Sequence, residues 1–218
     1  MAAPRCVPCA PSRYDAPAMA TSDRIGSRGA SEGVGWFGAA YSGLAGFFVI
    51  ERAFRQPGST ASLAATGDDQ RTTQKIVAAY AAAGALAPIV RSSRRGRLPR
   101  AAAPLGLALE LTGLGIRAWS MRALGSSYSR TLRTGRTQGL IDDGPYRLVR
   151  HPGYAGSLLT WTGFAIASRS LPVAAVVGGL LGWAYRDRIR AEELLLRREL
   201  PGYQDYARRT RRIVPFVW

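Results

Sequence analysis

The sequence predicts an all-α integral membrane bundle of about five transmembrane helices, with an amphipathic helix on the cytoplasmic side at the C-terminus. Three observations carry that prediction. Apolar residues in the 218-residue chain collect in five blocks nearly free of charge: Val34 to Ile50, Ile76 to Val90, Ala101 to Ser120, Tyr154 to Ser168, and Leu171 to Tyr185. Soluble helices normally carry a polar stripe, and these carry almost none. The 30 basic residues crowd the connections and the C-terminal segment.

The first 33 residues are rich in Pro, Ala, Ser and Arg and read as a disordered leader, or as a stretch preceding a start at Met19. Arg5 is followed by no apolar run of the length a signal peptide needs. Cys6 and Cys9 form a bare C-x-x-C inside this leader, and His151 is the only other Cys or His, too few for a structural zinc site. No metal is expected. The remainder, 34–218, reads as one membrane domain with its catalytic half in 121–218.

Block one contains Gly33-Val34-Gly35-Trp36-Phe37-Gly38, a match to G-x-G-x-x-G, with Glu51 beyond it. A dinucleotide fingerprint needs a preceding strand and a βαβ unit, and neither pattern surrounds it. Gly35, Gly38, Gly43 and Gly46, with Gly178, Gly179 and Gly182 in block five, are expected at close helix contacts. Trp36, Trp119, Trp161 and Trp183 are expected near membrane interfaces. In block three, Glu110 and Arg117 are two turns apart, on one helix face turned toward the bundle interior. Blocks four and five are separated by Arg169 and Ser170 alone, which predicts a tight helical hairpin.

With five crossings, residues 51–75, 121–153 and the C-terminal segment share one side and hold 19 of the Lys and Arg residues, against 10 for the leader, 91–100 and Arg169. The richer side is expected to be cytoplasmic. Five arginines at 91–100 oppose that assignment, so a second block that does not cross is the competing expectation. The net charge of +16 also admits a non-enzymatic arginine-rich protein holding anionic lipid. Aromatic residues are not interleaved with the arginines, so no nucleic-acid partner is expected.

Chemistry concentrates at the start of block four and the end of block five. Asp143-Gly144-Pro145 is turn chemistry, Pro152 suits a first helical position, and His151 falls at the N-cap at the water boundary beside Arg150. There His151 is either a capping residue or a site residue. Arg188 and Glu192 are i, i+4 neighbours on the amphipathic helix, either a surface ion pair or a seat for a zwitterion.

Gly144-Pro145-Tyr146-Arg147, Arg150-His151-Pro152-Gly153-Tyr154-Ala155-Gly156 and Arg188-Ile189-Arg190-Ala191-Glu192-Glu193 together resemble the isoprenylcysteine carboxyl methyltransferase family, which is related to phospholipid methyltransferases. The resemblance implies methyl transfer from S-adenosylmethionine to a lipophilic or lipidated acceptor that enters between membrane helices. It implies a cofactor pocket of Gln138, Gly139, Leu140, Ile141, Tyr146, His151, Pro152, Gly153, Tyr154, Glu192 and Glu193, with Glu192 on the methionine ammonium. Arg188, His151 and Arg150 are the expected catalytic residues, Arg188 lying toward the acceptor. Gln138-Gly139 departs from the polar pair such a site would carry. Sterol-reductase-like enzymes, which use NADPH, share the R-H-P-x-Y-x-G segment and supply the competing enzymatic reading.

Overall fold

The structure is a computed structural model. It describes the backbone of residues 22–54, 67–90, 96–125 and 140–214, and side chains from Gly35 onward within those ranges, those of 67–70 excepted. Gly35–Trp218 forms one compact unit, to which the following contacts belong.

Each apolar block is helical. The helices are α1 (Ser22–Ala53), α2 (Gly67–Val90), α3 (Ala102–Leu124), α4 (Pro152–Ala167), α5 (Leu171–Val176), α6 (Gly182–Glu199) and α7 (Tyr203–Arg209), with a wide π turn Val177–Leu181 joining α5 to α6. No strand occurs among the described residues, so Gly33 to Gly38 lie inside a helix and form no phosphate loop. Helix α1 begins inside the leader expected to be disordered. Once the apolar block nucleates a helix, each added residue costs little, which lets the helix extend into polar sequence.

The closest helix pair is α3 with α4, and its glycines are not those expected. Gly106 and Gly113 face Gly163 and Gly156, and both pairs are spaced by two helical turns. A Cβ on Gly156 would lie 2.7 Å from the Gly113 carbonyl oxygen and 2.8 Å from the Arg117 nitrogen, so only hydrogen fits between the backbones. At Gly35, Gly38, Gly178, Gly179 and Gly182 a Cβ would meet nothing within 4 Å among the described residues. Of the glycines expected at contacts, Gly43 packs tightly, against the Glu110 carboxylate, and Gly46 sits at ordinary distance from Leu114.

The aromatic core joins α1, α2 and α4. Trp161 stacks on Tyr80 with ring centres 4.4 Å apart, Phe47 and Phe164 meet it edge-on, and Tyr41 donates to the Gly84 carbonyl oxygen at 2.5 Å. Trp161 is therefore a core residue and not part of an interfacial belt, because α1 and α2 cover this face of α4. Trp36, Trp119 and Trp183 are exposed.

At one end of the helices, residues 96–100 pair with the turn between α4 and α5. Leu98 N donates to Arg169 O at 3.0 Å and Leu171 N to Gly96 O at 2.9 Å. Arg169 takes a positive φ of 56°, and its Nε and Nη2 cap the Leu98 carbonyl oxygen at 2.9 and 2.7 Å. That is the predicted hairpin, its turn closed by Arg169 of the connection. At the other end, Lys75 Nζ reaches Asp187 at 2.6 Å and lies over the Trp183 ring. Helix α2 thus begins at the end that carries Asp187 and Trp183.

Val49, Ile89, Leu105 and Leu111 lie exposed, while Glu51, Glu110, Arg117, Ser157 and Thr160 are buried. Large apolar groups outside and polar groups inside suit an apolar solvent. Arg71–Val90 is the one stretch among the described residues long and apolar enough by composition to cross a bilayer. Helix α4, at 16 residues, spans about 24 Å, short of the roughly 30 Å hydrocarbon core.

Candidate active site

The chain reaches the site through a turn. Gly144 has φ 56° and opens the 3-10 turn Gly144–Arg147, fitting the Asp-Gly-Pro chemistry. The segment that follows is clasped by the C-terminal residues. Arg150 N donates to Arg211 O at 2.7 Å, His151 N to Arg212 O at 2.9 Å, and the Tyr206 hydroxyl to Tyr146 O at 2.8 Å. Residues 210–212 and α7 therefore lie as a strap over the start of α4.

His151 occupies the N-cap of α4 with Pro152 as the first helical residue, yet its side chain makes no cap hydrogen bond. Its ring stacks on Tyr154 at 5.6 Å and turns toward the acidic pair, Nδ1 being 3.8 Å from Glu192 Oε2 and Nε2 3.5 Å from Glu193 Oε1. Buried Nε2 has no hydrogen-bond partner. The His151 side chain therefore does not cap α4 and faces the acidic pair instead.

Tyr154 joins the two charges expected to pair directly. Its hydroxyl donates to Glu192 Oε2 at 2.7 Å and accepts from Arg188 Nε at 3.4 Å. Arg188 is buried, and its Nη1 donates to Thr72 and Thr73 of α2 at 3.0 and 3.4 Å. Burial pushes its pKa down, opposed by the nearby Glu192 charge. Glu192 stays partly exposed while Glu193 is buried.

Glu193 serves a different purpose from Glu192. It accepts from Arg150 Nε at 2.8 Å and Arg212 Nε at 3.1 Å. Burial pushes its carboxyl up, but the His151 ring beside it and the hydrogen bond and charge of Arg150 outweigh burial and hold it at about 2. Arg150 also donates to the Ala207 and Thr210 carbonyl oxygens at 2.8 and 2.5 Å. Arg150, expected among the catalytic residues, thus spends its described hydrogen bonds on the strap and on Glu193.

Leu140 and Ile141 are half-buried, with Leu140 beneath Gly202, and Tyr146 and Pro152 are buried. Gln138 and Gly139 lie outside the described residues. Sequence reasoning missed Tyr203, whose buried hydroxyl has no partner and whose pKa is raised by burial and then by the Glu193 charge. The Tyr203-x-x-Tyr206 spacing, one face of a short helix, was the available signal. It also missed Thr72 and Glu51, which no local pattern connects to the site.

S-adenosylmethionine presents an ammonium, a carboxylate, a sulfonium and a nucleoside. A partly exposed carboxylate at Glu192, held by one oxygen on Tyr154, suits the ammonium, and the unpartnered His151 Nε2 and Tyr203 hydroxyl suit hydrogen-bonding atoms. The residues fit the cofactor.

Comparison with known proteins agrees with this geometry. Residues 106–198 match the isoprenylcysteine carboxyl methyltransferase (ICMT) family. The nickel-cobalt-cadmium resistance protein NccN of Alcaligenes xylosoxydans xylosoxydans is 30% identical over 110 residues, covering 50% of this chain and 52% of that protein. A probable protein-S-isoprenylcysteine O-methyltransferase of Oryza sativa subsp. japonica is 32% identical over 117 residues, 52% of this chain and 61% of that protein. The chain thus spans about half to three fifths of these relatives. The structure of the eukaryotic intramembrane Ras methyltransferase ICMT shares the fold, with a TM-score of 0.53 at 19% identity over 82% of this chain and 62% of that one. Residues 106–198, which carry His151, Tyr154, Arg188 and Glu192, are thus the part of the chain that is similar to the isoprenylcysteine carboxyl methyltransferase family.

Proposed function

We propose that the chain is an S-adenosylmethionine-dependent methyltransferase of the membrane, acting on a carboxylate or other nucleophile of a lipophilic acceptor, isoprenoid ones included, with its site on the cytoplasmic side. The observation that carries this reading is the Glu192–Tyr154–Arg188 chain beside an unpartnered His151 Nε2, all beneath the C-terminal strap. The basic residues flanking that end support the orientation.

When bound, the cofactor supplies a methyl group on a positively charged sulfur. Glu192 binds the ammonium, and Tyr154 fixes the rotamer of that carboxylate. Arg188, anchored by Thr72 and Thr73, sits where it can orient an acceptor carboxylate. Such an acceptor is already a nucleophile, so alignment and charge placement matter more than a general base. For an amine acceptor, His151 is the neutral-pH base. Arg150 and Glu193 brace the strap, which excludes water from the start of α4.

Membranes containing the protein, given S-adenosylmethionine labelled in the methyl group and a total lipid and protein extract, should label an acceptor. Glu192→Ala should abolish that labelling. No labelling, together with NADPH oxidation against a lipid enone, would replace this reading with the reductase.

A further inference from the structure

Arg117 of α3 reaches the first turn of α4. Its Nη1 donates to the Gly153 carbonyl oxygen at 3.0 Å and to Ser157 Oγ, while Nε lies 3.2 Å from Glu51 Oε2 and Nη2 bonds to the same oxygen. Its guanidinium carbon stands 4.7 Å from the Phe47 ring centre, so α1 covers one face. Both charged groups are buried. Gly153 directly precedes Tyr154 and shares the first turn with His151.

A chain of direct contacts therefore runs from Glu51 in α1 through Arg117 in α3 and Gly153 in α4 to Tyr154 and on to Glu192 in α6. Helix α1 lies outside the residues that match the family. A buried guanidinium deprived of its carboxylate must find other compensation, and a planar fork holds a carbonyl only while its opposite edge is anchored.

We propose that Glu51 is a positioning residue of the site: it orients Arg117, which sets the first turn of α4 and with it His151 and Tyr154. The consequence for donor affinity rests on the methyltransferase reading, whereas the effect on α4 does not. Glu110 provides the control, since it is equally buried at the α1 contact, packs on Gly43, and has no hydrogen bond to the α4 turn.

Two readouts on detergent-purified protein decide the matter: hydrogen exchange of the amides of residues 154–158, and the dissociation constant for S-adenosylmethionine. Glu51→Gln should speed exchange there and weaken binding about tenfold, the scale of one charge-assisted hydrogen bond, with Glu51→Asp recovering part of both. Glu110→Gln should leave exchange unchanged and binding within about twofold. Unchanged exchange in Glu51→Gln, or equal loosening in Glu110→Gln, overturns the proposal. If the wild type binds no donor, the methyltransferase reading falls and the exchange result alone decides this one. Should Glu51→Gln not fold, the double variant Glu51→Leu, Arg117→Met removes both charges, and wild-type exchange in it overturns the proposal.

Discussion

Tyr154 divides its side chain between two tasks: its ring stacks on His151, and its hydroxyl holds Glu192 and receives Arg188. Tyr154→Phe separates them, keeping the stack and losing the hydrogen bonds. Bonds to charged groups contribute about 1.5–3 kcal/mol, so donor affinity should fall at least tenfold and the melting temperature should drop as well. Calorimetry beside a thermal melt checks both halves. Glu193 makes a different prediction. Its folded carboxyl titrates at about 2 against an ordinary 4.5, so the unfolded chain takes up its proton first as pH falls. Its contribution to stability is complete above about pH 4.5 and is lost toward pH 2. Melts between pH 6 and 3 should show a fall in the wild type that is shallower in Glu193→Gln. That variant should also be less stable at pH 7 by about 3 kcal/mol, because Arg150 and Arg212 lose a buried carboxylate.

Among the elements, the α3–α4 pair is the most demanding. A Cβ at Gly156 lands on the Gly113 carbonyl oxygen and the Arg117 backbone, whereas one at Gly38 meets nothing described within 4 Å. Gly156→Ala should cost about 1–3 kcal/mol through overpacking and displace the turn that carries His151. Gly38→Ala should be neutral or stabilising by about 0.5–1 kcal/mol, since glycine is a poor helix former. Thermal unfolding of the two variants in one detergent tests the contrast. This difference also marks where sequence reading ends. The helices of the five blocks were readable because each block is a long apolar run, and the hairpin because Arg169 is the single charge between Gly153 and Tyr185. Which glycine faces a neighbour depends on helix rotation, to which near-uniformly apolar blocks give no clue. The strap was hidden for a related reason: Arg150 and His151 pair with residues 211–212 through backbone atoms, which no side chain announces.

For the whole molecule, the charge of +16 resolves by position. Arg150 and Arg212 hold Glu193, Arg188 joins the site, and Arg117 is neutralised by Glu51. His151, Tyr154, Arg188 and Glu192 were readable because they sit in two short contiguous motifs. Glu51 and Arg117 lie 66 residues apart, and only the folded chain brings them together. The pairing of residues 96–100 with Arg169 sets Arg97 and Arg100 at the end opposite the site. With the native cysteines replaced by serine, a cysteine at Arg100 should react in intact cells with a membrane-impermeant thiol reagent. One at Arg198 should react only after permeabilisation. The reverse pattern would invert the proposed orientation and leave the site chemistry intact.

The central claim is that Glu192, held by Tyr154 beside His151, seats the methyl donor. Calorimetric titration of S-adenosylmethionine into the purified protein in detergent tests it most directly. The account predicts saturable heat at one site per chain in the wild type, lost in Glu192→Ala while the melting temperature is retained. No heat in the wild type, or equal binding by Glu192→Ala, would contradict it.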